Sequence, residues 1–165
     1  MEYAGGRLIV AQDGPIGWIT FNQPERLNAV RRDMWDDLPA AVADLTSRSG
    51  VRAIVVKGAG DKAFISGADI AEFDIQRNNA VTNRSFTLAV SAATASLIEA
   101  RVPVIAMING FCIGGGMVIA SACDIRICSE ASCFGVPAGK LGLGYELDNF
   151  ARLQSIEGRG VAMEM

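Results

Sequence analysis

Two stretches of this chain join an apolar run to glycine and then to a helix-like continuation. Ile54 to Lys57 leads to Ser66-Gly67-Ala68, and Val104 to Ile108 leads to Gly114-Gly115-Gly116. Glycine is favoured where the backbone takes positive φ or where another atom approaches it closely. A helix start presents unpaired N–H groups at the positive end of a dipole, so two such starts side by side can hold an oxygen on which negative charge develops. The bland alternative is that the glycines only let a helix pack closely on a strand. Further along, Glu146, beside Tyr145 in "LGLGYELDNF", reads by itself as an acid at a helix N-terminus, favoured by the dipole.

Other chemistries find little support. The chain has no histidine, and Cys112, Cys123, Cys128 and Cys133 lack CxxC spacing, so metal binding and Cys/His catalysis are not expected. All four cysteines read as small buried apolar residues. "GAGDKA", Gly58 to Ala63, formally matches a dinucleotide fingerprint, but it runs into "FISGADI" instead of a long helix and is treated as a chance match. Eighteen acidic and 15 basic residues give a formal charge of −3 with no basic block, which argues against nucleic acid as a partner. "MEYAGGRLIV" has no signal-peptide pattern and no apolar stretch reaches membrane-spanning length, so a cytoplasmic protein without a membrane partner is expected.

The elements that must position these residues read as alternating strands and helices in one domain over 1–165. "RLIVAQDGPIGWITFN" predicts two strands around an Asp13-Gly14-Pro15 turn. Met34, Leu38, Ala41, Val42 and Leu45 share one helical face, with Pro39 inside the pattern as a potential kink. "VRAIVVKG" suits a buried strand, and "KAFISGADIAEF" reads as a loop leading into a short helix. Phe86, Ala89, Val90, Ala93 and Leu97 mark a long amphipathic helix ending before Pro103. A strand "VPVIAMIN", a helix from about Gly115 to Cys123, the strand "IRICSE" and a final helix "NFARLQSIEGRGVAMEM" complete an α/β pattern.

"PERLNA", "KAFISGADIAEF", "NGFCIGGGMVIASACDIRI" and "FGVPAGKLGLGY" resemble, in order and spacing, the successive signatures of the crotonase superfamily, the enoyl-CoA hydratase/isomerase group. The resemblance implies an α/β spiral of ββα turns, assembled as trimers or hexamers. It implies an acyl-CoA thioester as substrate, with coenzyme A part of that substrate and no tightly bound cofactor. It puts Ala68 and Gly115 where the two oxyanion-hole N–H donors belong. It puts Arg26, Asn28, Ala29, Ser66, Asp69 and Ile70 where coenzyme A is contacted.

Two departures matter. The positions that carry paired glutamates in hydratases of this family are Val118 and Ala138 here, and neither can accept a proton. The resemblance implies instead a single working carboxylate eight residues after Ala138, at Glu146, with Tyr145 aligned to a tyrosine of a decarboxylase branch. Asp69 and Glu72 are the fallback acids. The chain also stops at Met165, where family members continue through further helices. The expectation is an isomerase-type proton transfer, with an unconventional hydratase or a silent coenzyme A-binding or oligomerisation subunit as alternatives.

Overall fold

The computed structural model describes residues 1–72, 79–142 and 144–165. The apolar runs become strands of a six-stranded sheet, in the order β1-β2-β3-β4-β6-β8. These are β1 (Glu2–Tyr3), β2 (Leu8–Asp13), β3 (Ile16–Phe21), β4 (Ala53–Gly58), β6 (Val104–Ile108) and β8 (Ile125–Cys128). The Asp13-Gly14-Pro15 turn makes β2 and β3 an antiparallel hairpin, with Asp13 opposite Ile16. From β3 onward the pairing is parallel, with Ile19 beside Val56 and Val56 beside Ala106. That register puts Ile19, Phe21, Ile54, Val56, Val104 and Ala106 on one face, all fully buried.

Helices cover this face. In α1 (Arg32–Ser47) the expected stripe is buried, Pro39 is accommodated within one continuous helix, and Trp35 joins the buried set. The carboxylate of Glu72 accepts from the Arg32 N–H at 2.7 Å at the helix start and pairs with Arg31 at 2.9 Å. α2 (Ala80–Ile98) is capped by Asn79, whose Oδ1 accepts from the Val81 and Thr82 N–H groups. α3 (Gly115–Ala122) is buried along nearly its whole length. Arg126 closes its C-terminus by donating to the Ala120 and Cys123 carbonyls at 3.2 and 2.6 Å. The final helix α4 (Leu147–Glu164) is interrupted at Gly158, which has φ 79° and ψ 161°.

Three strands escape the sequence reading. β5 (Ala63–Ile65), β7 (Phe111–Ile113) and β9 (Cys133–Gly135), three residues each, form a second, all-parallel sheet. "KAFISGADIAEF" is therefore a strand, a loop and a 3₁₀ turn at Ile70–Glu72. The end of that stretch at Phe73, and Leu143 of the last motif, lie outside the described residues. The path from large-sheet strand to small-sheet strand to helical segment occurs three times, the third running through β8, β9 and the 3₁₀ turn Pro137–Leu141. A second correction concerns the cysteines. Cys112 and Cys123 are buried, and burial pushes both thiols up to about 12, but Cys128 and Cys133 are exposed because each lies on the last strand of its sheet.

Candidate active site

The two glycine-bearing stretches meet. Val30 donates to Gly67 O at 2.8 Å and Asp69 donates to Val30 O at 3.0 Å, a single parallel bridge opposite Ala68. This pairing uses the peptide groups on either side of Ala68 and leaves its own N–H facing away from Val30. Gly115 is the first residue of α3, so its N–H has no partner inside the helix. A Cβ placed on Gly115 would stand 3.4 Å from Ala68 N, 3.3 Å from Gly67 C and 3.3 Å from Trp35 Cζ2.

The neighbouring glycines explain how the backbones come so near. Gly114 takes φ 50° and ψ −104°, where its N–H reaches Gly135 O at 2.8 Å. A Cβ on Gly116 would lie 2.4 Å from Ile65 O, so α3 rests directly on the β5 backbone. The bland reading of the glycines as packing residues is thus correct for Gly116. It is compatible with N–H donors at Ala68 and Gly115 that have no partner among the described residues and that the packing brings side by side.

Both donors lie on the wall of a cavity of about 370 Å³. Its lining is mainly apolar, with Trp35, Phe86, Val90, Val118, Val136 and Ala138 among the contributors. Val118 and Ala138 therefore occupy the wall as apolar residues. Tyr145 and Glu146 line the same cavity, and Glu146 is its sole carboxylate among the described residues. Burial pushes the Tyr145 phenol up to about 12, against the lowering influence of Arg152, so it is a neutral hydrogen-bond donor near neutral pH. Glu146 occupies the N-cap position of α4, but its side chain caps nothing there. Its Oε1 accepts instead from Thr87 Oγ1 of α2 at 3.1 Å.

The other residues singled out from the sequence are spread along the loop before α1 and around β5. Arg26 pairs with the buried Asp69 at 3.0 Å. Ser66 and the exposed Ile70 line the cavity. The Asn28 side chain is fully enclosed, accepting from Gln23 N and donating to Ala59 O and Ala63 O, so it holds the loops and offers a ligand only its backbone. Ala29 accepts from the Gln23 side chain. Asp69 and Glu72 are both engaged by arginines and neither lines the cavity. Sequence reasoning missed Thr87, Asn149 and Trp35 as wall residues. Trp35 is 1% exposed and its indole N–H has no partner among the described residues.

This architecture, two sheets threaded by repeated strand–strand–helix turns, is the crotonase spiral. It superimposes on an enoyl-CoA hydratase/carnithine racemase from Magnetospirillum magneticum with a TM-score of 0.92 at 34% identity, covering 96% of this chain and 59% of that one. The chain belongs to the enoyl-CoA hydratase/isomerase family, whose model matches residues 11–165. It is 34% identical over 158 residues to a short-chain-enoyl-CoA hydratase of Clostridium acetobutylicum, covering 96% of this chain and 60% of that protein. It is also 34% identical over 164 residues to a peroxisomal Delta(3,5)-Delta(2,4)-dienoyl-CoA isomerase of Arabidopsis thaliana, covering 93% of this chain and 58% of that one. The chain thus spans about 60% of the length of these curated relatives.

Proposed function

We propose that this chain forms the acyl-CoA-handling core of an enzyme that stabilises a thioester enolate and shifts a proton with a single carboxylate. The observation that carries this reading is the cavity wall, where Glu146 is the sole described carboxylate and Val118 and Ala138 cannot activate water. Both the hydratase and the isomerase names among the relatives fit enolate chemistry, and the missing glutamates favour the isomerase side.

In this reading the Ala68 and Gly115 N–H groups donate to the thioester oxygen. As a proton leaves the carbon next to the carbonyl, charge builds on that oxygen. Each fixed donor then contributes on the order of 3 kcal/mol to lowering the barrier. Glu146 takes the proton and returns it to another carbon, and Tyr145 donates as a neutral phenol. Coenzyme A enters as part of the substrate, with no tightly bound cofactor. Arg26, Asn28, Ala29, Ser66, Asp69 and Ile70 lie along its path, Asn28 through its backbone.

Assembly as a trimer or hexamer is part of the proposal. Met107, Ile125 and Ile127 leave an apolar strip on the outer face of the large sheet, where Met107 pairs with Ile127, and association would cover it. No described helix is long and apolar enough to cross a membrane.

The test is a panel of 2-enoyl-, 3-enoyl- and dienoyl-CoA esters given to the full-length protein and to Glu146→Gln, followed by the absorbance of the conjugated thioester. A proton shift that falls about 10²- to 10⁴-fold in the variant, with ester binding retained, is expected. Binding without conversion of any ester would identify a silent subunit. Hydration that survives in Glu146→Gln would identify a hydratase with a different acid.

A further inference from the structure

Four threonines lie in described helices, and three of them bond back onto their own segment. Thr46 donates to Val42 O and Ala43 O, Thr94 to Val90 O and Ser91 O, and Thr82 to Asn79 O at its helix start. Such back-bonding to the preceding turn is the ordinary fate of a helical threonine. Thr87 instead sends its hydroxyl off α2 to Glu146 Oε1, 59 positions later in the chain, at 3.1 Å. Both side chains line the apolar cavity that carries the Ala68 and Gly115 donors. The second oxygen of Glu146, Oε2, has no hydrogen bond or ion pair among the described residues.

From this geometry we infer that Thr87 is a positioning residue for Glu146, fixing Oε1 so that Oε2 exchanges the proton with the acyl group. The inference rests on Glu146 being the proton carrier proposed above. A hydroxyl suits this task better than an arginine or lysine, because it orients the carboxylate without neutralising it. The bond also survives the reaction. Oε1 is a carboxylate oxygen before proton uptake and the carbonyl oxygen of the acid after Oε2 is protonated, and it accepts from Thr87 in both states.

No rearrangement of the wall is therefore needed while the proton is in transit, which is what a positioned acid/base requires. The step balances without a further reactant. The carbon–hydrogen bond breaks, its electron pair moves into the enolate with the charge on the thioester oxygen, and the proton goes to Oε2. If the Oε2 proton is replaced from solvent before one returns to the same carbon, the result is exchange; its return to a conjugated carbon of an unsaturated ester moves the double bond.

The test uses the full-length protein with butanoyl-CoA in deuterated water and follows deuterium entering the carbon next to the thioester. It reads both the saturated rate and the concentration giving half of it. Thr87→Val keeps the shape and removes the donor, so the saturated rate should fall about 5- to 30-fold with half-saturation within about twofold, since a misoriented base costs turnover more than binding. Thr87→Ser, which keeps the hydroxyl, should recover to within about threefold of the parent. In the Glu146→Gln background, Thr87→Val should cost less than about twofold more, because residues acting as one unit are not additive.

If Glu146→Gln abolishes exchange but Thr87→Val matches the parent, Thr87 is wall lining only and the inference falls. If Thr87→Val costs the same in both backgrounds, it acts by another route and the inference again falls. If Glu146→Gln exchanges at the parent rate, the assignment of Glu146 itself is what fails, and Thr87 falls with it.

Discussion

The two walls of the cavity are built in different ways. The donor wall, Gly67-Ala68 and Gly114-Gly115-Gly116, is made of backbone pressed against backbone, with clearances that exclude even a methyl group at Gly116. The acid wall, with Pro137, Ala138, Lys140, Tyr145, Glu146 and Asn149, is made of side chains on and after a 3₁₀ turn and at the start of α4, tied to α2 through Thr87. Glu146 is exposed there, and an added Cβ at Gly139 would meet nothing within 4 Å. The difference fits the two tasks proposed for the walls. Stabilising a developing charge needs donors that do not reorganise, whereas moving a proton between carbons needs a base anchored at one oxygen whose other oxygen reaches both.

The sharpest way to break this comparison is to load each wall with one carbon atom. Gly116→Ala sets a Cβ 2.4 Å from the Ile65 carbonyl oxygen, a backbone atom with little freedom to retreat. It should destabilise the fold by about 2–4 kcal/mol, read as a lower urea midpoint at unchanged slope. Gly139→Ala should change stability by less than about 1 kcal/mol, with a small gain expected from the stiffer unfolded chain. Equal losses at the two sites would mean that the acid wall is as tightly packed as the donor wall.

Next in size is the chemistry of the donor wall. Gly115→Pro deletes one N–H at the first position of α3, where a helix tolerates proline best. Its Cβ would meet Gly67 C and the Trp35 edge at 3.3 Å, so at that atom the neighbours must give by a few tenths of an ångström. Turnover of a 3-enoyl-CoA ester should fall about 10²- to 10³-fold while binding of the ester changes much less. Parallel loss of binding and of the circular-dichroism signal would mean that the substitution disrupted the site instead of silencing a donor.

How much of this was legible in the sequence follows the same division. The glycines of the donor wall could be read because only glycine serves where Gly114 takes φ 50° and where Gly116 touches Ile65, so the shape of this wall is tied to a residue type. The large-sheet strands could be read because, buried by helices, they are continuous apolar runs such as Ala53–Gly58. The three-residue strands β5, β7 and β9 are too short to show a period, and they pair only with one another across long stretches of chain. Thr87 was illegible for a similar reason. It stands beside Phe86 on the flank of α2 and looks like a surface threonine until the fold carries Glu146 to it. The exposure of Cys128 and Cys133 depends on their being in edge strands, a property of topology and not of residue type.

The smallest expected effect concerns how enclosed the acid wall is beside Glu146. Tyr145 is half-buried, and its phenol is pushed from 10.0 to about 12 chiefly by burial, with Arg152 lowering it and Cys112 raising it. The unfolded chain would release this proton first, so between about pH 10 and 12 the native state holds more protons than the unfolded one, and stability falls as pH rises. Below that window Tyr145 contributes no slope. Cys112 and Cys123, raised from 9.0 to about 12, add a loss of the same sign that begins nearer pH 9. A difference between proteins is therefore needed. Tyr145→Phe keeps the ring and both thiols and removes only the phenol. Urea midpoints taken near pH 9.5 and near pH 11.5 should drop less for the variant than for the parent. The phenolate absorbance should show one of the two tyrosines titrating late in the parent, beyond Tyr3, which is itself raised. Identical drops in parent and variant would mean that Tyr145 is as solvated as its exposed neighbour Glu146, leaving the buried Asn149 as the enclosed polar side chain of the acid wall.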